Sequence, residues 1–136
     1  MKNVTPALDK LAIVVNQELV LEYDRNHPLD DRQKSSLNNI EAKLDLGIRV
    51  DDQFIAQPTV RDRATFIANQ LLHAYLNDDD PKIAICCAYL ASRLPELKQI
   101  RSTHHPDRIS IQLVFDQEYQ KENKVQFVDK STLGKN

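Results

Sequence analysis

The sequence predicts a mainly helical α+β fold of about four helices, including a central antiparallel helical hairpin, with a C-terminal two-stranded β-hairpin. Three observations lead there. Between Pro58 and Ile100, capping residues and apolar spacing agree over the longest continuous run in the chain. Only two glycines occur, which leaves few sites for tight turns with positive φ and disfavours an all-β barrel or sandwich. After Ile109 the apolar period changes from helical to a strict alternation.

At the N-terminal end, Thr5 and Pro6 have the cap-then-proline form of a helix start, and a helix is expected to run to about Asn26. Its stripe would be Leu8, Leu11, Ala12, Val15, Leu19 and Tyr23. Ile13 with Val20, and Val14 with Leu21, fall outside that stripe, so the helix would be buried on more than one side. A competing reading takes Ala12 to Val15 and Leu19 to Tyr23 as two strands, because both runs are rich in β-branched residues. His27 and Pro28 break the chain. A second helix begins at Asp30 and Asp31, carries Leu37, Ile40 and Leu44 in register, and ends near Gly47, a residue suited to a left-handed cap. Ile48 to Gln57 lacks strong periodicity and reads as a connector holding an extended or short helical piece.

The central hairpin follows. Thr59 can cap a helix through its hydroxyl while Asp62 reaches back to the Thr59 amide, a reciprocal capping box. Val60, Ala64, Ile67, Ala68, Leu71, Ala74 and Tyr75 then share one side as far as about Asn77. Asp80 and Pro81 start the next helix, with Ile83, Cys87, Leu90 and Leu94 as its stripe and Pro95 at its end. The short turn from Asn77 to Asp80 makes the two helices antiparallel neighbours. Phe66 on the first helix, and Ile85 and Tyr89 on the second, lie on the backs of these stripes and need cover.

Beyond Pro95, Glu96 to Ile100 is expected to form a short helical turn and Arg101 to Asp107 a loop. Ile109, Ile111, Leu113 and Phe115 alternate with more polar positions, as in a half-buried strand, and Val125 with Phe127 repeats the pattern. A β-hairpin over about 107–129 is therefore expected, inside a single domain of residues 1–130 with a flexible tail at 131–136.

Composition narrows the functional classes. A net charge of −2 gives no global attraction to nucleic acid or to an anionic membrane, and no apolar run approaches a bilayer-spanning length. No signal-peptide core follows the N-terminus, and the vicinal pair Cys86 and Cys87 reads as reduced, buried thiols, so a cytoplasmic location is expected. The acidic clusters Asp30-Asp31, Asp51-Asp52 and Asp78-Asp79-Asp80 read as helix caps rather than a cation site, since at least two precede predicted helices.

No G-x-S-x-G, H-E-x-x-H, G-x-x-x-x-G-K or C-x-x-C element is present. No catalytic residue, metal site or cofactor is assigned. The favoured expectation is a non-catalytic protein-protein interaction or regulatory module, working as a homodimer with a protein partner. Its candidate contacts are Phe66, Gln70, His73, Ile85 and Tyr89 on the backs of the two central helices. One alternative is a small enzyme or metal-dependent protein using His104 and His105. Another is a weak nucleic-acid module using the basic stretch Arg93 to Arg108, although that stretch has no interleaved aromatics and no recognition helix.

Overall fold

The computed structural model describes residues 10–119. Leu11 to Val14 is a run of four apolar residues, all buried. A run of that length, β-branched at Ile13 and Val14 and with no polar side for solvent, suits a central strand covered on both faces. It forms β1 (Lys10–Val15), which pairs antiparallel with β2 (Glu18–Asp24). The two residues between them, Asn16 and Gln17, both have positive φ, at 50° and 72°, as a tight type I′ hairpin turn requires.

The chain then crosses one face of the sheet. Asp30 caps α1 (Asp31–Leu44) in a reciprocal box with Gln33. A small hairpin follows, β3 (Ile48–Val50) and β4 (Gln53–Ile55), turned through Asp51 and Asp52 at φ 49° and 67°. Thr59 and Asp62 make the expected capping box at the start of α2 (Val60–Leu76). Asp79, one residue earlier than expected, caps α3 (Asp80–Arg93) through the Lys82 amide. Leu97 then leads into β5 (Gln99–His104), which lies parallel to β1 with Ile13 beside Ile100, and β6 (Ile109–Val114) returns antiparallel to β5.

Among the described residues the outcome is an α+β fold with three helices, a four-stranded mixed sheet ordered β2-β1-β5-β6, and a separate two-stranded sheet. Leu11, Ile13 and Ile100 on one face of the main sheet join Leu37, Ala64, Leu71, Leu72, Cys87, Leu90 and Leu97 in a single core. α3 packs mainly on α2, as a short antiparallel connection dictates.

The expected mainly helical fold of about four helices is therefore corrected in its N-terminal and C-terminal thirds. Residues expected to form the first helix instead make β1 and β2. Ile13, Val14, Val20 and Leu21, which would sit off the stripe of a helix, are core-side and outer-side positions of two strands. Glu96 to Asp107, expected as a helical turn and a loop, contains β5, which occupies the sheet interior. β6 matches the alternation seen at Ile109 to Phe115, and among the described residues its partner is β5. Val125 and Phe127, like the tail at 131–136, lie outside the described residues.

Candidate functional site

An open groove of about 680 Å³ lies between α1, from Arg32 to Ile40, and the N-terminal half of α3. Arg32, Ser36, Asn39 and Ile40 recur at helical spacing along the α1 wall. Asp79, Pro81, Lys82, Ala84 and Ile85 make the α3 wall. Ile40, Ala84 and Ile85 give the floor its apolar character, while Arg32 and Lys82 bring positive charge from opposite walls. Asp79 is engaged by its capping bond to the Lys82 amide at 3.3 Å.

The same two helices are tied together beside the groove. Glu41, the residue after Ile40 on α1, accepts a 2.6 Å hydrogen bond from the Tyr89 hydroxyl and a 3.3 Å bond from the Arg93 Nε, both on α3. The same carboxylate accepts from Arg63 Nη1 on α2 at 3.3 Å, and that guanidinium also meets Asp45 at 2.8 Å. The Arg93 guanidinium stacks 5.5 Å from the centre of the Tyr89 ring. Burial pushes the Glu41 carboxyl up, but the bonds from Tyr89 and Arg63 and the charges of Arg63 and Arg93 outweigh it and hold the group below its ordinary value. Burial, reinforced by the Glu41 carboxylate, pushes the Tyr89 phenol well above its ordinary value, so it stays a proton donor. One carboxylate thus ties the three helices together.

The residues expected as a contact surface do not come together. Tyr89 is 2% exposed and sits under α1, so its back of α3 is covered within the chain. Phe66 is half-buried and lines a smaller concavity with Val50 of β3 and Ile109 and Ile111 of β6. Gln70 is half-buried and His73 exposed on α2, away from the groove. Ile85 alone lines the groove.

The alternative readings find less. His105 Nε2 lies 3.0 Å from the Ser110 Oγ across the β5–β6 turn, and the His105 amide donates to the Arg108 carbonyl at 2.8 Å. This closes a hairpin; no carboxylate completes a nucleophilic triad there. Among the described residues no three His, Cys, Asp or Glu side chains converge as metal ligands. The basic stretch Arg93 to Arg108 is largely committed within the chain. Arg93 meets Glu41, Arg101 donates to the Gln99 side chain at 2.6 Å, and Arg108 lies 3.6 Å from Asp107. Burial pushes the Cys86 thiol up to about 11 and the Cys87 thiol to about 12, leaving neither as a thiolate nucleophile at neutral pH. Of the acidic clusters, the first and third cap helices, whereas Asp51 and Asp52 form the β3–β4 turn.

The groove walls escaped the sequence reading. Arg32, Ser36 and Asn39 look like an ordinary solvated face, and Ala84 looks like a close-packing position. The one available signal was Ile85, an apolar residue opposite the main stripe of its helix.

Comparison with protein families, with curated proteins and with solved structures finds no match. Function must be read from the chain itself. Among the described residues no helix is long and apolar enough to cross a membrane.

Proposed function

We propose that this domain is a non-catalytic protein-binding module, working as a homodimer, whose α1–α3 groove receives an amphipathic helix with acidic flanks from a protein partner. One observation carries the reading: an apolar floor of Ile40, Ala84 and Ile85 lies between Arg32 and Lys82, which approach from opposite walls. A helix laid there would bury apolar residues at i, i+3 and i+4 spacing on the floor and bring carboxylates to both cations. Buried thiols suit a reducing compartment, and the cytoplasm is the location proposed.

The test places a photocrosslinking residue at Ala84 in the native host and maps the captured segment by mass spectrometry. The expected product is one partner cross-linked through an amphipathic, acid-flanked helix, with capture lost in Lys82→Glu and in Ile85→Glu. Unaltered thermal unfolding of both variants separates lost contact from lost fold. Capture that survives both substitutions, or products scattered over many unrelated proteins, would refute the groove as a docking site.

A further inference from the structure

The reading above includes a paired module, and the inference here rests on that part of it and names the surface that joins the copies. The two edges of the main sheet are built differently. β2 carries the exposed acids Glu18, Glu22 and Asp24, and its ladder to β1 shifts register between Ile13 and Val14. Charges and bulges of this kind keep an edge from pairing with another chain. β6, from Ile109 to Val114, has no charge, no proline and no glycine, and pairs with β5 without a register shift. Among the described residues nothing pairs with its outer side.

The backbone groups that face outward along that edge can be assigned. The carbonyls of Arg108 and Val114 accept from the β5 side, from the His105 and Lys98 amides at 2.8 Å each. Backbone direction alternates along a strand, so Ile109, Ile111 and Leu113 aim their N–H and C=O groups away from β5. Their side chains lie on the core face and are half-buried.

We propose that β6 joins two copies of this chain by antiparallel pairing about a two-fold axis at Ile111, making one continuous sheet across the dimer. The edge is complementary to itself. With Ile111 opposite its own copy, Ile109 faces Leu113 and Ser110 faces Gln112, so no like charges meet. Half-buried Ile109, Ile111 and Leu113 gain apolar cover from their counterparts.

Sedimentation equilibrium of the full chain at micromolar concentration tests this, with an expected mass twice 15.6 kDa. Ser110→Lys combined with Gln112→Lys sets lysines opposite each other across the axis and should weaken association about tenfold. Ser110→Lys combined with Gln112→Glu sets opposite charges there and should restore it, a reversal that simple loss of structure does not produce. Amide exchange at Ile109, Ile111 and Leu113 should slow as protein concentration rises. A chain monomeric throughout overturns the proposal. So does edge protection that is independent of concentration, which would mean that the edge is covered within one chain. Dissociation by Phe54→Ser with no response to the charge pairs would move the interface to the exposed residues around β4. Ile85→Glu should leave the mass unchanged, so loss of groove capture and loss of dimerisation fail separately.

Discussion

Glu41 is the residue on which the helical layer depends most, because it links all three helices through one carboxylate. Removing one partner from such a network costs more than a single exposed ion pair, since the Tyr89 hydroxyl and the Arg93 guanidinium lose this acceptor and Arg63 is left with Asp45. Glu41 keeps 33% of its side-chain surface, so solvent compensates in part. Glu41→Gln, which retains a carbonyl for Tyr89 but not the charge, should lower unfolding free energy by about 1 kcal/mol at neutral pH. Acid sensitivity follows from the direction of the shift. The carboxyl is held below its ordinary 4.5 in the folded chain, so its contribution is complete above that value. It is lost as pH falls through the lower folded value. Urea titrations between pH 6 and pH 3 should therefore show a shallower acid limb in Glu41→Gln than in the natural chain. None of this was legible in the sequence. Glu41 looks like a solvated helix residue, and its partners lie 22, 48 and 52 positions away. Local chemistry at residue scale was legible where both partners are close in sequence. The Thr59–Asp62 box is the example, with both of its bonds formed within three residues.

The same distinction separates the elements. α2 and α3 announce themselves through caps, a proline and a sustained 3.6 period, whereas β1 and β2 lack the usual turn punctuation. Their hairpin turns through Asn16 and Gln17, and a glutamine with φ 72° gives no hint of a type I′ turn. β1 adds to the confusion because a strand covered on both faces has no alternation, so its apolar run carries no period of two to set against a helix buried on more than one side. The strain at the turn is testable. Gln17→Gly removes the cost of placing a Cβ in the left-handed region and should raise stability by about 0.5–1 kcal/mol despite the more flexible unfolded chain. The reverse experiment is Gly47→Ala between α1 and β3. There φ is +106°, and an added Cβ would meet the Phe54 ring and lie 3.0 Å from the Ile55 carbonyl. The Phe54 ring is exposed and can swing aside, but the backbone dihedral cannot be relieved in that way, so a loss of about 1–3 kcal/mol is expected in chemical denaturation.

At the scale of the whole molecule, the feature hardest to read is the β1–β5 pairing, which joins the two ends of the described chain. The Ala12 amide donates to the Lys98 carbonyl at 3.1 Å and the Asn16 amide to the Ser102 carbonyl at 2.9 Å. No local signal in Lys98 to Ser102 reports a partner more than eighty residues earlier in the chain. The polar run Arg101 to Asp107 looks like a loop for that reason, although Ser102 is 2% exposed in the sheet interior. Such a pairing also sets a hierarchy of stability. β1 is covered by strands on both sides and shares the core with all three helices, so its amides can exchange only when the whole fold opens. β3 and β4 form three residue pairs at the surface, with Phe54 58% exposed and acidic residues at the tip. Native-state hydrogen exchange should place Ala12 and Val14 at the global unfolding free energy, and Val50 and Gln53 several kcal/mol below it, on the order of a local opening. The Ala12 amide should also follow denaturant with the full m-value of global unfolding, and the β3–β4 amides with a slope near zero. If Ala12 instead exchanged early with a small slope, the parallel pairing would be a late and separable addition to the helical layer, and β1 and β2 would open as a unit without unfolding α2 and α3.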